Sequence, residues 1–386
     1  MKLIPYSRQF INSRDISAVN KVLKSDYLTT GPTVKKFEEL ISNYCNVKYT
    51  SCVNSASSAL LLACKALELK KGDFVWTSPI TFVSSINCAL HCGSRIDFVD
   101  INFSNFNICT SSLEKKLINA NKTNKLPKVL IVVHLGGVSS DMKKIDVLSK
   151  KYKFKIIEDS SHAFGSTYQN SMVGSCKYSD LNIFSFHPVK TITTGEGGAI
   201  TTNNKELNNK IKLLREHGIE RNSNKFKFRS PGKWYYEQQL LGYNFRMSDM
   251  NAALGISQLN KIELILKKRN KNHEFIVKKL SNLPIIFQKQ DSFSSCHLTV
   301  ALVPKKIHRK LFAYLRKNKI WVNLHYIPLY KHPFFEMNNK KNKKKYLNSE
   351  KYYKMAISLP NYYQITKKEM SYFINLIQKF FSKNRI

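Results

Sequence analysis

Short, nearly continuous apolar runs alternate with helical patterns through the N-terminal half of this chain, and that alternation narrows the fold more than any other feature. Tyr49 to Val53, Asp73 to Ser78, Ile96 to Val99, Val129 to Val133, Phe154 to Ile157 and Ile183 to Phe186 read as strands. A strand that is apolar on both faces needs cover on both faces. The pattern therefore predicts an α/β fold with a mostly parallel sheet flanked by helices. Polar residues recur just past the strand ends, at Asn54-Ser55, Thr81, His134, Asp159 to His162 and His187. Open α/β sheets place their ligands at that edge.

The turn after Phe186 carries a lysine unlike the others. Lys190 stands among aromatic, hydroxyl and glycine residues, between the strand ending at Phe186 and a second strand at Ala199 to Thr202. Desolvation on such a turn disfavours the ammonium and lowers its pKa, which leaves a nucleophilic amine near neutral pH. An amine of that kind attacks carbonyl groups. Around it the strand ends offer complementary chemistry. The helix beginning at Ala56 and Ser57 presents free N–H groups and hydroxyls, a cradle for phosphate as well as an ordinary serine cap. Asp159 closes an apolar strand, where a carboxylate either caps a turn or holds a heterocyclic nitrogen protonated. Phe82 could lie flat on a ring, and His162 and Ser185 could touch the ring or the phosphate.

Composition bounds the alternatives. With 386 residues, 42% of them hydrophobic, the chain can bury one large core or two modest ones. No apolar run is long enough to span a membrane, and Pro5 and Arg8 interrupt the N-terminal stretch, so neither an anchor nor a signal peptide is expected. The eight cysteines show no metal-binding spacing and are expected as reduced thiols of a cytoplasmic protein. A formal net charge of +37 raises nucleic-acid binding. The lysines are spread along the chain with abundant Asn and Ile, however, and the densest cluster, Lys340 to Lys345, reads as a solvated loop. Nucleic acid is therefore not expected as a partner; an anionic small substrate suits the same field.

Residues 12–24 read as a first helix capped by Ser13, and a long helix from Met250 to Leu280 reads as a link to a second unit. That unit offers strands at Cys296 to Val303 and Ile320 to Leu324, and helices at 305–317 and 366–382. The expected division is a large unit over 1–255 and a smaller α+β unit over 256–386.

Six segments occur in a telling order: NSASSAL from Asn54, PITF from Pro79, EDSSHAFG from Glu158, FSFHPVK from Phe184, GEGGA from Gly195 and GYNFRMSD from Gly242. Over nearly its full length the chain resembles the nucleotide-sugar aminotransferases of the DegT/DnrJ/StrS type, which are pyridoxal-phosphate enzymes of fold type I. The resemblance implies that Lys190 holds the cofactor and moves the proton of the 1,3-shift. It implies that Asp159 pairs with the pyridine nitrogen, that Phe82 stacks on the ring, and that Ala56, Ser57 and Ser185 take the phosphate, with His162 beside them. The asparagine matching Asn244 reaches a neighbouring subunit's cofactor in this family, which implies a homodimer with shared sites. Tyr6, the loop Asp26-Tyr27-Leu28-Thr29, His187, and Asn323-Leu324-His325-Tyr326 match substrate-contacting positions. Pro5-Tyr6-Ser7 and His325-Tyr326 favour the branch serving pseudaminic acid synthesis. The implied reaction moves an amino group from L-glutamate to C4 of a UDP-linked 4-keto-6-deoxy-N-acetyl hexose; the alternatives are another nucleotide-linked keto sugar (4-keto or 3-keto, on UDP, dTDP or GDP) and a catalytically inactive regulatory or nucleic-acid-binding homologue. Relatives that dehydrate sugars carry histidine at the lysine position, and Lys190 argues against that chemistry.

Overall fold

The computed structural model describes residues 2–336 and 346–384, so the expected loop at Lys340 to Lys345 lies outside the described residues. Its centre is a seven-stranded sheet. In chain order the strands are β1 (Tyr49–Val53), β2 (Phe74–Thr77), β3 (Arg95–Phe98), β4 (Val129–Val133), β5 (Lys155–Asp159), β6 (Leu181–Ser185) and β7 (Gly198–Thr202). They lie side by side in the order β1-β7-β6-β5-β4-β2-β3. Only β7 opposes its neighbours; it runs antiparallel to both β1 and β6, while the remaining ladders are parallel. Every residue of β4, β6 and β7 is buried, which is what near-continuous apolar strands require. Helices cover both faces.

The reversal of β7 positions the chemistry. It makes β6 and β7 a hairpin whose connection, Phe186 to Gly197, lies at the C-terminal edge of the parallel strands. Gly198 pairs with Val53 on one side and Ser185 on the other. A Cβ on Gly198 would come within 2.7 Å of the Ala56 nitrogen, so glycine here lets the hairpin pack directly against the start of the helix Ala56–Ala66.

Two expectations about helices need correction. The first helix, Ser13–Leu23, is capped by Asn12 rather than Ser13, in a capping box: the Asn12 side chain accepts from Asp15 N–H while the Asp15 carboxylate accepts from Asn12 N–H at 2.8 Å. The long linking helix is two helices, Asp249–Leu259 and Ile262–Leu280. Lys261 leaves the helical path between them, and its ammonium turns inward to the buried Asp15 carboxylate and the face of Phe10. An ion pair buried on one side thus takes precedence over helix continuity.

Beyond the break, a small antiparallel sheet joins Ile286–Phe287, Thr299–Leu302 and Ala356–Leu359. The helices His308–Lys317 and Lys367–Lys383 pack with it around a second core that includes Leu311, Leu315, Phe373 and Phe381. The chain's beginning belongs to this core as well. Ile4 is fully buried in it, and Ile4–Pro5 pairs in parallel with Ile320–Trp321. The expected strand at Ile320 to Leu324 is regular only to Trp321, because Asn323 pairs instead with Ser358. Tyr6 and Asn323 to Tyr326 are thereby delivered to the same place from opposite ends of the sequence.

Candidate active site

A cavity of about 490 Å³ opens at the C-terminal edge of the sheet. The connections after β1, β2, β5 and β6 form one wall, and Tyr6, His297 and Asn323 to Tyr326 form the other.

Lys190 is half-buried at the bottom of this cavity. Desolvation pushes its amine down to about 8, against the opposing pull of the Asp159 charge. Its turn is pinned from several sides. The Lys190 N–H donates to the His187 carbonyl at 2.9 Å, Thr193 Oγ1 donates to the Phe186 carbonyl at 2.9 Å, and Asn251 Nδ2 donates to the Thr194 carbonyl at 2.5 Å. The amine is therefore presented on a stiff connection, rather than on a free loop.

Asp159 ends β5 and is buried. Ser85 Oγ donates to its Oδ2 at 2.6 Å and Ser161 Oγ to its Oδ1 at 2.6 Å. Among the described residues no lysine or arginine stands within ion-pair distance of it. A buried carboxylate held by two hydroxyls and the Ser161 N–H, at 3.2 Å from Oδ1, retains lone pairs for a ligand that carries a positive N–H. A protonated pyridine nitrogen is such a group. Phe82 lines the cavity with 56% of its surface exposed, a costly arrangement for a phenyl group without a flat partner.

At the cavity's other end the helix Ala56–Ala66 begins. The Ser55 side chain caps it by accepting from Ser58 N–H at 3.1 Å. The N–H groups of Ala56 and Ser57 find no partner among the described residues, and Ser57 Oγ lies 2.8 Å from Ser84 Oγ. With buried Ser185 nearby, these donors match a phosphate. An amine facing a carboxylate, an exposed phenyl ring and a phosphate-sized donor set fit pyridoxal phosphate group by group.

Three neutral imidazoles line the cavity, His162 on the sheet side and His297 and His325 on the other. Burial, with the Lys190 charge nearby, holds His162 well below the ordinary histidine range. Its Nδ1 accepts from Gly136 N–H at 3.2 Å, so its single hydrogen is on Nε2, 3.0 Å from Tyr326 Oη. Tyr326 accepts that hydrogen, which leaves its own hydroxyl hydrogen free for a ligand in the cavity. His325 is pushed down to about 3 by burial and by Lys190, and its Nδ1 meets Ser358 Oγ at 2.8 Å. His297, also buried and neutral, keeps an Nδ1 with no hydrogen-bond partner among the described residues.

Of the residues singled out from sequence, the structure brings together Tyr6, Ala56, Ser57, Phe82, Asp159, His162, Ser185, His187, Lys190, Asn323, Leu324, His325 and Tyr326. It does not bring Asp26, Tyr27, Leu28, Thr29 or Asn244 into this chain's cavity; all five are solvent-exposed. Asn244 pairs with Glu216, while the Asp26–Thr29 loop meets the start of the helix Asp249–Leu259. Thr29 pairs with Ser248, and the fully buried Asp249 accepts from the N–H groups of Gly31 at 2.7 Å, Thr33 at 2.8 Å and Val34 at 3.2 Å. Sequence reading missed Ser85, Ser161 and His297. Ser161 was detectable, because an aspartate followed two residues on by serine is a common side-chain-bonded turn. Ser85 and His297 carry no local signal.

A profile of the DegT/DnrJ/EryC1/StrS aminotransferase family matches residues 9–378. A Campylobacter jejuni protein named UDP-4-amino-4,6-dideoxy-N-acetyl-beta-L-altrosamine transaminase is 40% identical over 376 residues, covering 96% of this chain and 95% of that one. The solved structure of Helicobacter pylori PseC, an aminotransferase involved in the biosynthesis of pseudaminic acid, superimposes with a TM-score of 0.90 at 31% identity, covering 99% of this chain and 100% of that one. The pyridoxal-phosphate form of a sugar aminotransferase from Streptococcus pneumoniae, Spr1654, gives 0.89 at 27% identity and 99% coverage of both chains. The match runs from end to end and the cavity fits the cofactor group by group: this chain belongs to the DegT/DnrJ/EryC1/StrS family and is a pyridoxal-phosphate-dependent sugar aminotransferase.

Proposed function

We propose that this enzyme transfers an amino group from L-glutamate to C4 of a UDP-linked 4-keto-6-deoxy-N-acetyl hexose, a step of pseudaminic acid synthesis. The observation that carries this reading is the 40% identity to the Campylobacter jejuni transaminase across nearly the whole chain. The convergence of Tyr6 and Asn323 to Tyr326 on the cavity of Lys190 supports it.

Bound pyridoxal phosphate supplies a carbonyl that accepts the donor's amino group and a ring that accepts electrons. The chain's residues do the rest. Lys190, with an amine near 8, anchors the cofactor and then carries the proton between the two carbons of the 1,3-shift. Asp159 holds the ring nitrogen protonated; Ser85 and Ser161 aim its oxygens. Phe82 would stack on the ring with His162 beside it, and Ala56, Ser57 and Ser185 would hold the phosphate. Tyr326 directs its free hydroxyl hydrogen at an oxygen of the sugar, and Tyr6, His187, Asn323, Leu324 and His325 shape the remaining contacts. The imidazoles of His162, His297 and His325, held below the ordinary histidine range, compete poorly for the Lys190 proton.

Asn244 and the Asp26–Thr29 loop serve the neighbouring subunit of a homodimer. Their exposure in a single chain supports this. So do the bare apolar side chains of the preceding loop, Trp234 at 77% and Leu241 at 85% exposed. The eight unpaired cysteines and the absence, among the described residues, of a helix able to cross a membrane fit a cytoplasmic enzyme. One core lies wholly before residue 255 and another, apart from Ile4, wholly after it, which fits a division near there, while the core of Ile80, Phe106, Leu298 and Tyr352 spans it.

Incubation with glutamate and a panel of nucleotide-linked 4-keto and 3-keto sugars, read by mass spectrometry, tests the substrate. The UDP-linked 4-keto-6-deoxy-N-acetyl sugar should be aminated fastest. Exclusive amination of dTDP-, GDP- or 3-keto sugars would contradict the proposal.

Asp159→Asn should retain cofactor but lose at least about tenfold in kcat, ~1.4 kcal/mol of barrier. Wild-type turnover in this variant would reduce Asp159 to a turn residue.

The shared site is tested by complementation. Mixing Lys190→Ala with Asn244→Ala under subunit exchange should create heterodimers in which one site carries both defects and the other carries neither. Activity should rise toward half that of wild type per heterodimer. Proven exchange without recovery, with both variants folded, would place Asn244 in its own subunit's site or outside any site.

A further inference from the structure

One buried charge is used by nothing described so far. Arg269, on the helix Ile262–Leu280, is 1% exposed. No carboxylate stands within ion-pair distance among the described residues, and burial pushes its guanidinium down to about 10, still protonated at neutral pH. A guanidinium taken out of water without a counter-charge is strongly unfavourable for folding. Its contacts suggest why it is there. Nη1 donates to the carbonyls of Asn361 at 2.8 Å and His297 at 3.3 Å, and Nη2 donates to Ser7 Oγ at 3.4 Å. Ser7 Oγ in turn donates to the Val189 carbonyl at 2.8 Å. Asn361 N–H donates to the Tyr6 carbonyl at 3.0 Å.

These contacts order the hydrogens as well as the heavy atoms. Because the guanidinium can only donate, Ser7 Oγ accepts from it, and the single Ser7 hydrogen is committed to the Val189 carbonyl. That carbonyl belongs to the peptide plane joining Val189 to Lys190. The same guanidinium fixes the backbone at His297 on the opposite cavity wall. The geometry points to Arg269 as a positioning residue that, through Ser7, sets the peptide of Lys190 and ties the chain's first residues to the site. The inference rests on the aminotransferase reading of the cavity.

A purely structural plug would change only the unfolding temperature. A positioning residue also moves the cofactor's spectrum and turnover in protein that remains folded. The probe is holoenzyme reconstituted with pyridoxal phosphate, titrated across pH by absorbance and assayed with glutamate and the UDP-linked keto sugar as amino acceptor. Ser7→Ala, which removes one hydroxyl, should lower kcat at least about fivefold with KM for the sugar within about threefold. It should move the absorbance midpoint by at least ~0.3 pH unit. Ser7→Thr keeps the oxygen and should stay within about twofold of wild type. Arg269→Lys should reproduce the Ser7→Ala effect, since an ammonium cannot span three acceptors in the guanidinium's planar fork. The double variant should lose no more than about twofold beyond the worse single one, because both break the same chain of contacts. Wild-type kcat and an unmoved midpoint in folded Ser7→Ala would overturn the inference and leave the aminotransferase reading standing. A wild type that aminates no sugar would count against that reading, and the absorbance midpoint would still decide the role of Ser7.

Discussion

Taking an ammonium out of water is costly, and a lysine placed where that cost is felt gives up its proton more readily than one on the surface. The active-site edge of this protein is organised around that effect at Lys190. The amine lies on the connection between β6 and β7, where the one antiparallel strand of the sheet inserts between β1 and β6. That insertion brings the turn against the start of the Ala56–Ala66 helix and opposite the end of β5. The strand order thus sets the spacing between amine, phosphate cradle and carboxylate before any side chain is chosen.

The sheet edge supplies a carboxylate fixed by Ser85 and Ser161 and a helix start with donors to spare. The imidazoles on both sides of the cavity stay neutral. His162, His297 and His325 are all held below the ordinary histidine range by burial first, with the Lys190 charge adding to it. Attraction for an anionic ligand comes from the backbone N–H dipoles at the start of the Ala56–Ala66 helix.

Much of this was legible in the sequence, because the signals were local. Apolar runs on both faces specify the buried strands, and the motifs at Asn54, Asp159 and Lys190 sit at strand ends where an open sheet binds ligands. The same reasoning failed where long-range contacts decided the outcome. Helical periodicity runs straight through Asn260-Lys261, yet the pull of Asp15 on Lys261 breaks the helix. Ser13 and Asn12 are both fair caps by type; the reciprocal bond with Asp15 selects Asn12. Ser85, His297 and Arg269 look like ordinary helix or strand residues, and their roles arise only from what folds against them. The Asp26–Thr29 loop shows a further limit: Thr29 pairs with Ser248, far along the chain, and no local signal foretells that placement.

Lys190 as the covalent anchor of the cofactor is the claim on which the rest depends. Borohydride reduction of the purified holoenzyme, followed by proteolysis and mass spectrometry of the peptides, tests it directly. The account predicts a phosphopyridoxyl group on the peptide containing Lys190, on no other lysine, with the cofactor's visible absorbance lost on reduction. The label on a different lysine, or cofactor released without any covalent mark, would contradict it.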